Sequence, residues 1–134
     1  MADPFTNQDA ASPEMIEIIV AGLETRAADP SMPPVIAACF DALNPPDSGL
    51  IVDAGADAGG VTRRIADRFP RAQAPGVEPS VALTDRAKAL AGARADLDFR
   101  TGDGAERHGS GRGAVIGAGF SRPSPKERNA SCNG

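Results

Sequence analysis

Leu50-Ile51-Val52-Asp53-Ala54-Gly55-Ala56-Asp57-Ala58-Gly59-Gly60 is the stretch on which the fold turns. Three apolar residues run into an acid, and a glycine-rich turn follows at once. A short apolar run of this kind suits a parallel strand buried on both faces. Beyond the turn, Val61, Ile65 and Phe69 fall on one face at helical spacing, with Arg63, Arg64, Asp67 and Arg68 on a largely solvated face. Pro70 ends that helix. The unit is therefore strand, glycine turn, helix.

Outward from it the alternation continues. A second strand is expected at Ala74–Glu78, with Pro75 at an edge or a strand start because it has no N–H to donate. Ser80 caps a helix that carries Val81, Leu83, Ala87 and Leu90, and a third strand, Leu97–Arg100, leads into Thr101-Gly102-Asp103-Gly104. Strands alternating with helices at this pitch predict βαβ units and a parallel sheet. Upstream, Ser12 caps and Pro13 opens a helix with Ile16, Ile19, Val20 and Leu23 in register. A shorter helix from Pro34 to about Leu43 buries Val35, Ile36, Cys39, Phe40 and Leu43, before Asn44-Pro45-Pro46 breaks the chain. The expected class is α/β, a partial Rossmann-like parallel sheet with two N-terminal helices and an irregular Gly-rich C-terminal tail. Residues 1–47 read as a helical lid or appendage, 48–106 as a cofactor-binding half, and 107–134 as tail.

Composition narrows the function. The chain has 134 residues, a net charge of −4 and 41% apolar residues, with Phe as its sole aromatic. From Ala105 onward five basic residues face two acids, so the preceding body carries the whole acidic excess. An acidic body argues against nucleic acid, whose phosphates need a basic surface. The run Gly109-Ser110-Gly111-Arg112-Gly113 lacks the interleaved aromatics of an RNA-binding segment and reads as tail. No apolar run nears the ~20 residues of a membrane span, and Met-Ala-Asp-Pro-Phe does not begin a signal peptide. With His108 the sole histidine, neither a His-based metal site nor a Ser-His-Asp triad can be built. Cys39 and Cys132 have no metal or redox spacing and are expected as free thiols, so the location expected is cytoplasmic.

The chemistry gathers at the strand ends. In open α/β sheets ligands sit beyond the carboxyl ends of the strands. Here the three strands end in Asp53, Glu78 and Asp103. An acid after the second strand can accept both hydroxyls of a ribose, and an acid with exposed backbone after the third can read an adenine edge. A pyrophosphate-bearing dinucleotide fits poorly, because Asp57 stands where the second glycine of G-x-G-x-x-G belongs. A ligand with an amine and a sulfonium tolerates that acidity far better. A P-loop is excluded, since no G-K-[ST] follows the glycines.

At these residues the chain resembles the class I S-adenosylmethionine-dependent methyltransferases. LIVDAGADAGG (50–60) is similar to their first motif, an acid followed by alternate glycines. VTRRIADRFPRAQAPGVEPSVALTDRAKALA (61–91) is similar to their next helix, strand and helix. FRTGDGAE (99–106) resembles the motif that closes the third strand, and DPFTNQDAASPEMIEIIVAGLE resembles the leading helix of small-molecule members. The resemblance implies that Asp53, Gly55, Asp57 and Gly59 border the methionine portion of S-adenosyl-L-methionine, that Glu78 holds the ribose, and that Asp103 with Gly104 meets the adenine. The reaction it implies is in-line transfer of the sulfonium methyl to a small-molecule acceptor.

Two departures carry expectations of their own. Asp57 in place of the middle glycine is expected to crowd the cofactor and to resist the required backbone conformation. Members of the family continue after the third strand through about four more strands, so the chain reads as truncated or divergent, with most of the acceptor half absent. Ala114-Val115-Ile116 is a remnant candidate for the fourth strand. Without that neighbour the first strand would present an open edge for self-association. The alternatives to a working methyltransferase are a non-catalytic remnant that binds cofactor weakly or associates through this edge, and a nicotinamide-binding Rossmann protein.

Overall fold

The computed structural model describes residues 7–103 and the strand at 113–117. Gly104, His108 and Cys132 lie outside the described residues. A 3-10 turn, Gln8–Ala10, precedes helices α1 (Pro13–Ala27) and α2 (Met32–Leu43). Then follow β1 (Ser48–Ala54), α3 (Gly60–Arg68), β2 (Arg71–Gln73), β3 (Pro75–Glu78), α4 (Val81–Ala91), β4 (Asp98–Thr101) and β5 (Gly113–Gly117).

The caps form where the residue types place them. Ser12 Oγ accepts the Met15 N–H at 3.2 Å with Pro13 in the first helical turn. Ser80 Oγ accepts the Leu83 N–H at 3.1 Å. Each side chain satisfies one of the backbone donors that a helix start leaves unpaired. Helix α2 begins at Met32, two residues earlier than expected, and ends on Asn44, which takes a left-handed φ of 42°.

All strand pairs are parallel. β1 pairs with β2 and β3 on one side and with β5 on the other, and β3 pairs with β4. The β1 register is the same for both halves of its neighbour: Ser48 faces Arg71 and Asp53 faces Gly76. β2 and β3 are therefore one strand interrupted at Ala74. The second strand expected at Ala74–Glu78 thus reaches back to Arg71, with Pro75 opening its second half. There the missing N–H costs no ladder bond in mid-strand. All four residues of β3 are buried, as a central parallel strand requires.

β5 corrects one expectation. The remnant at Ala114-Val115-Ile116 is a strand, with Leu50–Ala54 of β1 facing Gly113–Gly117 residue by residue. β1 is thus flanked on both sides, and the open edge foreseen beside it is filled.

Two groups of buried side chains hold the layers together. Ile36 and Phe40 of α2 pack with Ile51, Ile65, Phe69 and Ala74. The Phe40 and Phe69 rings meet edge to face with centroids 5.6 Å apart. Ile16, Ile19 and Val20 of α1 pack with Ala58 and Leu83. Both N-terminal helices thus supply core to the βαβ body. Val81 and Leu90, expected on the apolar face of α4, are exposed, and so is Val35 of α2. Cys39 corrects another expectation: it is half-buried and disulfide-bonded, and no described cysteine is free. The thiol argument for a reducing compartment therefore falls. Among the described residues no helix is long and apolar enough to cross a membrane.

Candidate functional site

Register alone gathers the acids. Asp53 faces Gly76 near the end of β1, and Glu78 faces Thr101 where β3 and β4 stop together. Asp103 follows two residues later. Three carboxylates from distant parts of the sequence thus share the carboxyl edge of the sheet. Asp53 and Glu78 are buried there, whereas Asp103 is exposed.

The loop between β1 and α3 is folded back on β3. The N–H groups of Gly55 and Ala56 both donate to the Val77 carbonyl, at 2.8 and 3.0 Å, and Gly59 N–H donates to Ala56 O at 2.8 Å. The turn needs left-handed backbone at alternate residues: φ is 74° at Gly55, 51° at Asp57 and 89° at Gly59. That alternation is the physical content of the spaced glycines. Asp57 adopts the conformation it was expected to resist, which aspartate tolerates better than most non-glycine residues. Its N–H is held by Glu78 Oε2 at 2.9 Å. At Gly59 a Cβ would lie 2.5 Å from Phe99 Cζ, so that glycine is required by packing as well as by φ.

Each acid has a distinct environment. Asp53 accepts the Thr62 hydroxyl at 2.6 Å. Burial pushes its carboxyl up to about 7 against the pull of that bond, and the charges of Asp57 and Glu78 add to the rise. Asp57 is half-buried. Burial and then Glu78 push it up to about 6, with Arg26 pulling the other way. Glu78 takes the Asp57 N–H on one oxygen and the Ser80 N–H, at 3.1 Å, on the other. A carboxylate offers about four lone-pair sites, so acceptor capacity remains on Glu78.

A cleft of about 890 Å³, its open mouth included, lies between this loop and the N-terminal helices. Asp53, Gly55 and Asp57 border it on the loop side. Leu23 and Arg26 of α1, with Met32 and Val35 of α2, form the opposite wall. Gly59, Glu78 and Asp103 do not line it. Asp57 is the link, since its side chain borders the cleft while its N–H is bonded to Glu78.

Reading residues by their local spacing overlooked several that shape this site. Arg63 and Arg64, expected to be largely solvated, are half-buried. Arg63 grips both oxygens of Glu24 at 2.7 and 2.8 Å, and Arg64 donates to Ala27 O at 2.6 Å. These bonds fix the end of α1 over the start of α3. Asp9 was also missed. Its carboxylate accepts from Ser80 Oγ at 2.7 Å and from the N–H groups of Ala82 and Val81 at 3.1 and 3.2 Å, capping α4 from seventy residues away. Only Thr62 carried a local signal: a polar residue on the apolar side of α3, nine residues after the acid. Among the described residues no cluster of His, Cys, Asp and Glu is arranged to hold a metal ion.

No protein-family profile and no curated protein matches the chain. Solved structures do match its fold. The geranyl diphosphate methyltransferase complex with GPP and sinefungin superposes with a TM-score of 0.54 at 23% identity, over 61% of this chain and 32% of that one. Coclaurine N-methyltransferase bound to N-methylheliamine and SAH gives 0.53 at 13% identity, over 61% and 24%. The YcgJ protein of Bacillus subtilis gives 0.51 at 15% identity, over 62% and 36%. The chain spans between a quarter and about a third of the length of these proteins. The parallel sheet, the glycine turn and these superpositions together give the chain the fold of the class I S-adenosylmethionine-dependent methyltransferases.

Proposed function

We propose that this chain binds S-adenosyl-L-methionine across the β1–α3 loop and serves methyl transfer to a small-molecule acceptor. The observation that carries the reading is the acid-bordered glycine loop at the carboxyl edge of a sheet with this fold. Burial raises the proton affinity of Asp53 and of Asp57, and the charge of Glu78 nearby adds to both. Such a surface repels phosphates and accepts a cationic ligand. Glu78, with backbone donors fixing both oxygens, is oriented to accept ribose hydroxyls on its remaining lone pairs. Asp103 with Gly104 is assigned to the adenine end. Gly55 and Gly59, both with positive φ, let the loop turn tightly at the carboxyl end of β1.

When bound, the cofactor supplies an electrophilic methyl group on a sulfonium. The chain's own contribution is binding and orientation, which bring an acceptor in line with that methyl. Leu23, Met32 and Val35 give the cleft an apolar wall on the α1 and α2 side. A small-molecule acceptor is supported by two of the structures of like fold, whose complexes hold GPP and N-methylheliamine.

Titration calorimetry on the 134-residue chain tests this with S-adenosylmethionine, S-adenosylhomocysteine and NAD. Heat is expected with the first two and none with NAD. Glu78→Ala is expected to weaken both sulfur ligands at least tenfold. A cooperatively melting sample that gives no heat with either sulfur ligand refutes the reading.

A further inference from the structure

Glu78 owes its orientation to two backbone donors, and only one of them belongs to the glycine loop. The Asp57 N–H holds Oε2 at 2.9 Å, and the Ser80 N–H holds Oε1 at 3.1 Å. Pro79 between them has no N–H, so Ser80 supplies the first main-chain donor beyond the acid. Ser80 is also the N-cap of α4, so its place depends on whatever orders the start of that helix. Three donors there converge on the Asp9 carboxylate: the Ser80 hydroxyl at 2.7 Å and the N–H groups of Val81 and Ala82 at 3.2 and 3.1 Å. Ser80 Oγ in turn accepts the Leu83 N–H at 3.1 Å, so the cap side chain is held through its proton and through a lone pair. Asp9 is exposed, whereas Ser80 and Glu78 are buried. An unbroken series of hydrogen bonds thus runs from Asp9 on the surface, through Ser80 and Glu78, to the main chain of Asp57.

We propose that Asp9 is a positioning residue for nucleoside recognition, holding the Glu78 carboxylate through Ser80 in the orientation that accepts ribose hydroxyls. A carboxylate clamped on both oxygens before the ligand arrives loses little freedom on binding, whereas a swinging one must first be ordered. Without Asp9 its three donors turn to water and the first turn of α4 loosens. The Ser80 N–H moves with that turn and no longer fixes Oε1, which leaves Glu78 held by the Asp57 N–H alone. Asp9 is given no ligand contact of its own; its whole effect passes through Glu78. The inference rests on the reading of Glu78 as the ribose acid, and it adds the N-terminal turn to the elements that prepare that acid.

A double-mutant cycle over positions 9 and 78 tests this, read by calorimetry with S-adenosylhomocysteine on the full chain. Asp9→Ala is expected to weaken binding about fivefold when Glu78 is present. In the Glu78→Ala background the same substitution is expected to change affinity by less than about twofold, because no carboxylate is left to position. Equal weakening in both backgrounds would mean that Asp9 acts on the fold at large or on the ligand directly. No weakening beside an intact Glu78 would mean that Ser80 holds the acid unaided. Either result overturns the inference. If Asp9→Ala does not melt cooperatively, Ser80→Ala takes its place in the cycle with the same expectation, since it cuts the hydroxyl link to Asp9. If the folded wild-type chain binds no S-adenosylhomocysteine, the cofactor reading fails by itself. Positioning is then read without ligand, from the carboxyl carbon resonance of Glu78 in wild type and Asp9→Ala. A shifted resonance supports the link from Asp9 to Glu78, and an unchanged one overturns it.

Discussion

Thr62 Oγ1 donates to Asp53 Oδ2 at 2.6 Å, and both residues are almost completely removed from solvent. The bond joins the end of β1 to the first turn of α3 and spans the glycine loop from below. One hydroxyl does not offset the burial of a carboxylate, so Asp53 is raised to about 7. An unfolded aspartate ionises near its ordinary value of 3.8. Between those limits the folded chain holds a proton that the unfolded chain has lost. Stability therefore falls as pH rises from about 4 to about 7 and levels off above. Asp57 adds in the same direction up to about 6. Asp53→Asn keeps an acceptor for Thr62 and removes the titration. It is expected to match wild type near pH 4 and to exceed it at pH 8 by an amount of the order of a few kcal/mol. Urea midpoints at the two pH values check this, and an unchanged pH slope in the variant contradicts it.

Two left-handed glycines separate strain from packing. Gly59→Ala meets both, because φ is 89° and the new methyl would sit 2.5 Å from Phe99 Cζ. Gly92 has φ 59° with nothing within 4 Å of an added Cβ. The expected losses are about 1 kcal/mol for Gly92→Ala and at least about 2–3 kcal/mol for Gly59→Ala. Chemical denaturation distinguishes them, and equal losses would show that Phe99 moves aside freely.

The N-terminal segment is latched to α4 through Asp9. The Ser80 hydroxyl holds the Asp9 carboxyl below the usual carboxylate range, with further help from the backbone N–H of Ala82. The latch is therefore complete above about pH 4 and is lost as acid protonates Asp9. Asp9→Ala is expected to speed hydrogen exchange of the Val81 and Ala82 amides severalfold at pH 7. Acidifying wild type well below pH 4 is expected to bring the protection factors of these amides to the same level. Ser80→Ala removes the cap itself and is expected to cost about 1 kcal/mol. Unchanged exchange at Val81 and Ala82 in Asp9→Ala would show that the carboxylate protects neither amide.

Ion pairs are expected to differ in worth according to their setting. In the Arg63–Glu24 pair one guanidinium nitrogen reaches both carboxylate oxygens and the pair is half-shielded, whereas Arg71 and Asp47 meet at 3.3 Å with both side chains largely in solvent. Double-mutant cycles are expected to give a coupling of about 1 kcal/mol for the first and near zero for the second. A negligible first coupling would mean that α1 is held over α3 by its apolar face alone.

What the sequence by itself determined was local. Ser12 and Ser80 cap their helices because a cap acts within three residues, and Pro75 opens a strand because it has no N–H. The glycine turn after Asp53 was legible because backbone with positive φ selects residue types directly. What the tertiary structure decided depends on groups far apart in the chain. Asp9 reaches Ser80 and Arg63 reaches Glu24, and no spacing rule links such positions. β5 joined β1 by main-chain pairing, which five residues containing two glycines hardly announce. Cys39 read as a free thiol because its bond, too, is a fact of three dimensions. The acids at the strand ends stand between these cases. Their residue types and order were visible from the start, but only parallel register made Asp53, Glu78 and Asp103 neighbours along one edge.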